Sequence, residues 1–457
     1  MTRLVLLLSL CLLLSGCDCL DCIQNSVIPT PPEVTYPDDG GEQPIWIPGV
    51  NCWKVIAFPS WITVTPLHGC GPIALHIIAE KNTTTYSRHG KIVVLMDNGD
   101  TIEIPVSQKG IKKPFFAAGS FHNLVVSPDG KLWAWGDNWA GQIGNGENMG
   151  IQSTPVNIML GGVKSVAAGS QHNLVVKTDG SLWAWGFNDN GEVGNGTTTT
   201  QLTPMRIIES DVKTATAGAY FHNLAIKTDG SLWAWGHNWY GQIGNGTTIN
   251  QTTPLLIMEK EVAAVAVGGN FSLAVKTDGS LWAWGDNHDH QIGKWLDVTQ
   301  PTPVCIITEG VAAVAAGQSH VLALKTDGSL WAWGGNWGYQ IGSEVCGEFQ
   351  STPICIIEEN VTAIAAGFAH SLAIKSDGSL WAWGYNVHGQ VGNGTTTNQT
   401  TPVCIITEGV EAVSAGWYHN IAVKTDGSLW EWGWNIACQI GAGIPIDQPT
   451  PIQVFVP

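Results

Sequence analysis

Charge is what this chain most lacks. Only 12% of its 457 residues are Asp, Glu, Lys or Arg, about half the share usual in soluble domains. Lys and Arg number 20 against 37 acids, a formal charge of −17, and the lysines recur in K-T-D-G turns rather than along one stripe. Nucleic acid and anionic lipid surfaces are therefore poor partners. Long apolar runs are scarce too: Leu4 to Leu14 is too short to span a bilayer as a mature helix. No repeat segment is long or periodic enough for a helix. Apart from Cys19-Leu20-Asp21-Cys22 no C-x-x-C pair recurs, so a metal cluster is not indicated and no cofactor is expected.

What is present is repetition. The Trp pairs of W-x-W-G fall at Trp133/Trp135, Trp183/Trp185, Trp233/Trp235, Trp282/Trp284, Trp331/Trp333, Trp381/Trp383 and Trp430/Trp432, always 49 or 50 residues apart. That period belongs to a blade rather than to a helical repeat. Each copy holds four strand-like pieces: V-x-x-V-A-A-G, H-N-L-V-V-K, S-L-W-A-W-G and T-P-V-x-I-I. An Asp-Gly pair, Asp129-Gly130 through Asp426-Gly427, marks a tight hairpin between the second and third. Seven antiparallel four-stranded meanders close as a seven-bladed β-propeller. The small A-A-G residues suit the crowded innermost strand. On that ordering every blade is contiguous in sequence; with another piece innermost, the first and last blades interleave.

The G-x-x-H turn, the D-G-x-L-W-x-W-G hairpin, the N-x-x-G-Q-I-G-N-G loop and the T-P strand together resemble the regulator of chromosome condensation repeat, over about residues 112 to 457. The resemblance implies the same seven-bladed fold and leaves activity open, because the fold serves exchange factors, photoreceptors, ubiquitin-ligase modules and binding platforms. Members that act as guanine-nucleotide exchange factors carry an extra hairpin on one blade. No copy here exceeds 50 residues, which argues against that activity.

Ahead of the propeller, residues 111–457, three segments are expected. Residues 1–16, with Arg3, the Leu4–Leu14 run and Leu14-Ser15-Gly16-Cys17, resemble a bacterial lipoprotein signal whose cleavage leaves Cys17 lipidated. Residues 17–44, with Pro29, Pro31, Pro32, Pro37 and Pro44, are expected to be a tether. Residues 45–110 alternate as strands and read as a small antiparallel β-sandwich. P-S-W-I-T-V-T-P with Gly69, then Arg88-His89-Gly90 and the closing I-P-V-S-Q-K-G, resemble a BACON domain, which implies carbohydrate or mucin binding or a spacer role. Cys52 and Cys70 bracket two Trp-containing strands of this domain and are the candidate disulfide. Cys305, Cys355 and Cys404 share one slot in T-P-[VI]-C-I-I and are expected to be buried small apolar residues.

Catalysis is not expected. His122, His172, His222, His320, His370 and His419 occupy one repeat position, with Phe271 in the fourth copy. Six equivalent sites around a ring do not converge on one substrate, so these histidines are expected to bond within their turns. The Asn of W-G-x-N, Asn138 to Asn435, read as loop-fixing residues. His288-Asp289-His290 is the one irregular polar cluster, without an identifiable second ligand group.

Loops of a meander alternate between faces, so the A-G-x-x-H turns and G-x-N-x-x-G loops share one face and the Asp-Gly hairpins the other. The hairpin face is monotonous; the first face diverges, with Phe121, Trp139, Tyr220, Phe221, Trp239, Tyr240, Trp337, Tyr339, Phe368, Trp417 and Tyr418. The third copy carries one extra residue between Gly218 and His222. Exposed rings offer stacking surfaces for sugars and anchors for proteins. The expectation is a lipid-anchored protein of the bacterial envelope, at the outer membrane or cell surface. It would adhere to glycan, mucin or a surface protein through this aromatic face and touch the membrane through lipid alone. A structural scaffold in an envelope complex is the alternative.

Overall fold

The computed structural model describes residues 33–47, 52–82, 87–110, 112–218, 220–293, 299–344 and 347–455. The signal segment, Cys17 and the tether up to residue 32 lie outside the described residues. Within them there is no helix, and the chain divides into compact units at 1–111 and 112–457.

The smaller unit is a sandwich of two sheets. Strands β1 (Val34–Tyr36), β3 (Cys52–Ala57), β5 (His68–Cys70), β7 (Arg88–Met96) and β8 (Thr101–Gln108) pair in the order β1-β8-β7-β3-β5. The second sheet runs β2-β6-β4, from β2 (Gly41–Ile47), β6 (Ile73–Ala79) and β4 (Ile62–Thr65). Period-two alternation puts Trp53, Val55, Ile92, Val94, Ile102 and Ile104 of the first sheet against Ile47, Ile62, Val64, Leu75 and Ile77 of the second. Cys52 and Cys70 are register partners on β3 and β5 and are joined by a disulfide.

The expected tether ends too late. β1 and the first half of β2 lie inside it, and buried Tyr36 crosses between the sheets to donate its hydroxyl to the Ile77 carbonyl at 3.0 Å. The prolines that made this stretch read as a linker are compatible with pairing: Pro44 sits on β2, an edge strand, where a missing N–H costs no ladder bond.

The larger unit is seven four-stranded antiparallel sheets, each made of one contiguous repeat. In the first, β9 (Phe115–Ala118), β10 (His122–Val126), β11 (Leu132–Asp137) and β12 (Ile151–Met159) pair in sequence order. The remaining six span 163–208, 212–258, 262–307, 311–357, 361–406 and 410–454. The A-A-G strands are innermost, and their Ala and Gly residues line an axial cavity of about 80 Å³. Small residues there let seven backbones converge. No strand is exchanged between the first and last blades.

Neighbouring blades are locked by side chains. The second Trp of each W-x-W is buried and donates its indole N–H to the Gln (once Glu192) carbonyl of the preceding blade at 2.8–3.0 Å, Trp135 closing the ring onto Gln439. The loop glycine beside each contact is compelled: a Cβ on Gly144, at φ +84°, would stand 2.6 Å from Trp185 Nε1.

Candidate functional site

The loop face is rigid beneath and variable on top. Asn138 Oδ1 accepts from Ile143 N at 3.0 Å while its amide donates to the Glu147 carbonyl at 3.2 Å, and the corresponding asparagines repeat the pattern around the ring. The opposite face has its chemistry occupied. Asp179 Oδ1 accepts from Ser181 N and Oγ, Ser181 Oγ accepts from Trp183 Nε1, and Lys177 Nζ sits 4.6 Å from the Trp183 ring centre. Lysine stacks in this way in the second through seventh blades.

The six repeated histidines do not bond within their turns as expected; they bond across blades. His122 Nε2 meets Asn173 Oδ1 at 2.7 Å, Asn173 in turn donates to the Gln142 carbonyl at 2.6 Å, and His419 meets Asn123 across the closing seam at 2.8 Å. Burial holds all six rings neutral, pushing them down to about 3 or 4. Phe271 is explained by its neighbour. The Asn or Ser that would receive a histidine there is Val321, so the fourth and fifth blades replace a polar pair with an apolar one.

The divergent rings separate into two groups. Trp139, Trp239 and Trp337 hold the position after the fixed Asn and are 67%, 69% and 45% exposed. Val387 and Ile436 hold it in the sixth and seventh blades, also exposed. Phe121, Phe368, Trp417 and Tyr418 are half-buried in a connected cluster from the sixth, seventh and first blades. Trp337 joins it at 6.0 Å from Phe368. Sequence reasoning missed members of this cluster: Tyr385, 5.5 Å from Trp337, and Trp434, 5.1 Å from Phe121 and stacked on His388 at 4.6 Å. Both sit at the x of G-x-N, and comparing that one position across the seven copies would have exposed them. Outside the cluster, Phe221 packs on Phe187, Tyr240 faces His288, and Tyr339 is exposed.

The extra residue of the third copy has a structural effect. Phe221 takes φ 70°, and Tyr220 reaches across the axis, accepting from Gln318 Nε2 of the fifth blade at 3.0 Å and lying 6.2 Å from Trp417 of the seventh. Residues of non-adjacent blades meet here over the mouth of the axial cavity. Burial raises the Tyr220 and Tyr418 hydroxyls, the latter to about 12.

Charge on this face is one-sided. Among the described residues its turns and loops contain no Lys or Arg; Lys294 lies outside them. The acids include Asp137 and Asp289, both raised by burial, and Glu192, which replaces the loop Gln in the second blade and is pushed up to about 7 by burial. His288 contacts Asp286, and His290 packs 4.4 Å from Phe349. Among the described residues no group of three or more His, Cys, Asp or Glu is placed to hold a metal. The cysteines of the T-P strand are not buried: Cys305 is half-buried and Cys355 and Cys404 are exposed. Their slot lies on the outermost strand, in register with the first, half-covered Trp of each W-x-W.

Seven contiguous W-x-W-G sheets locked in this way match a known family over more than half the chain: residues 217–456 correspond to the RCC1-like domain. The chain belongs to the RCC1-like domain family. Regulator of chromosome condensation (RCC1) repeats also match at 115–142, 163–192, 129–176 and 179–226, and the BACON putative binding domain matches at 53–109. No curated protein matches the sequence. Among solved structures, human WBSCR16 is 23% identical with a TM-score of 0.64, over 72% of this chain and 95% of that one. Prp20p from Saccharomyces cerevisiae, studied for its binding to Gsp1p and histones, is 22% identical with a TM-score of 0.64, over 71% and 86%. Yeast RCC1 (Prp20) bound to Kap60 gives 22% and 0.64, over 76% and 85%. These likenesses establish the fold, and an RCC1-like propeller joined to a BACON domain supports a binding or scaffold role.

Proposed function

We propose that this RCC1-like protein is an extracytoplasmic lipoprotein, anchored through Cys17, that binds a glycan, mucin or surface protein through the loop face of its propeller. The observation that carries this reading is the contrast between faces. One has its Lys, Asp, Ser and Trp engaged with one another in every blade, while the other presents Trp139, Trp239 and Trp337 to solvent on loops that Asn side chains hold still. Large rings on a rigid frame lose little side-chain freedom on binding. The six repeated histidines are committed to blade contacts, which favours binding over catalysis.

A second reading, a scaffold within an envelope complex, draws on Prp20p, which binds Gsp1p and histones, and on the Kap60 complex. The test is a glycan and mucin binding screen of the full chain beside Trp139→Ala, Trp239→Ala and Trp337→Ala. Loss of binding in any one of these variants with unchanged melting supports the glycan arm. Silence of the parent chain, with stable co-purification of envelope proteins, supports the scaffold. Labelling of the cells with a radioactive fatty acid should mark the protein and fail on Cys17→Ser; equal labelling of the variant would overturn the anchor.

A further inference from the structure

We infer that the loop face takes an uncharged glycan chain, and that the aromatic cluster of the fifth, sixth and seventh blades is where it seats. This rests on reading the loop face as the binding face. Charge is the first argument. Sialylated, sulfated or uronic-acid sugars need cations to offset their desolvation, and the described loop-face segments offer none, while Asp137, Asp189 and Asp447 would repel them. The same lack disfavours a protein partner, because interface hot spots draw on Arg as well as Trp and Tyr.

The second argument is a set of buried donors left without acceptors. In the first and third blades the loop Gln donates to the residue at x of G-x-N: Gln142 Nε2 to Asp137 at 2.8 Å and Gln242 Nε2 to His237 Nδ1 at 2.8 Å. In the fifth, sixth and seventh blades that residue is Gly335, Tyr385 or Trp434, and the amide nitrogens of Gln340, Gln390 and Gln439, all fully buried residues, have no hydrogen-bond partner. The indole N–H of Trp417 is unpartnered as well. A buried donor left without an acceptor loses its hydration with nothing in return. Three successive blades thus leave the loop amide unsatisfied, the sixth and seventh with a ring in place of its partner, a local violation of the kind that gathers at functional sites.

The third argument is the surface that results. Trp337, Tyr385, Phe368, Tyr418 and Trp434 form an unbroken path of ring contacts, from 5.1 to 6.0 Å between centres, edged by His388 and by exposed Val387 and Ile436. Apolar sugar faces stack on such rings, and neutral hydroxyls bring acceptors without bringing charge.

The experiment is a binding panel on the full-length chain: uncharged gluco-, manno- and galacto-oligosaccharides beside sialylated, sulfated and uronic-acid glycans, at low and at high salt. The expected result is binding confined to uncharged members with little salt dependence. Tyr385→Ala and Trp434→Ala should each weaken it by about tenfold or more. Val387→Lys, at an exposed position that tolerates change, should leave melting intact and admit sulfated glycans, which keeps the test decisive if the ring variants unfold. Salt-sensitive binding of sialylated or sulfated glycans by the parent chain overturns the inference and leaves glycan adhesion standing. Uncharged binding that survives in folded Tyr385→Ala and Trp434→Ala overturns the placement. No binding to any glycan removes the glycan reading and this inference together.

Discussion

A histidine recurring six times with one phenylalanine invites a search for chemistry, and the side chains answer that search with packing. Each His bonds to an Asn or Ser of the next blade, and where that residue is Val321 its counterpart is Phe271, the two packing as apolar side chains. Removing both partners of a buried hydrogen bond is nearly neutral, whereas removing one leaves an orphan. Phe271→His alone and Val321→Asn alone should therefore each destabilise the chain by about 1–3 kcal/mol. The double variant should recover most of that loss, with a coupling energy of about 1–2 kcal/mol by denaturant unfolding. Simple additivity of the two losses would refute the compensation. The pairing was hidden in the sequence because its halves lie 50 residues apart, in different copies. Trp139, Trp239 and Trp337 were legible as exposed rings because they interrupt an otherwise constant loop. Tyr385 and Trp434 were legible as variable rings at the x of G-x-N, but the cluster they join was not, since their company is set by neighbouring blades rather than by chain neighbours.

The four-stranded sheet was legible almost entirely, because Asp-Gly turns and Val-rich alternation leave few other pairings. The innermost strand followed from residue size alone. What failed were places where local composition and tertiary pairing disagree: the proline-rich approach to the small domain contributes β1 and β2, and the T-P cysteines face outward because that strand is the rim. Loop glycines belong to this scale as well. Gly144 serves the next blade's Trp185 as well as its own turn, so Gly144→Ala meets both a positive φ and a 2.6 Å contact with an indole nitrogen. A loss of about 2 kcal/mol or more is expected on thermal unfolding. Gly130→Ala, at φ +87° with nothing within 4 Å, separates the two effects by keeping the backbone strain alone. If it costs as much as Gly144→Ala, the indole contact is not what demands glycine.

As a whole the ring carries six histidines whose ordinary value of 6.5 is lowered to about 3 or 4 by burial. An unfolded chain takes up protons at these sites as pH falls through 6.5, and the folded ring does so only near 4 or below. Their stabilising effect is therefore fully present above pH 6.5 and is lost between there and about pH 4. Glu192, raised to about 7, and Glu431, Asp137 and Asp289, also raised by burial, act in the opposite sense, since each costs stability as pH climbs from its ordinary value towards its raised one. Six histidines against four carboxyls should still make melting fall from pH 7 to pH 4. A melting temperature that stays level across that interval would show that the rings are not held neutral.

The seam that shuts the ring repeats the chemistry of the internal seams, save the Phe271–Val321 pair between the fourth and fifth blades: Trp135 donates to Gln439 as Trp185 donates to Gln142, and His419 meets Asn123 as His122 meets Asn173. Topologically the propeller has no privileged starting blade. A gene rearranged so that the polypeptide opens at any other inter-blade link would encode the same circle, and loss or duplication of one cassette would alter the circumference without calling for a new kind of joint.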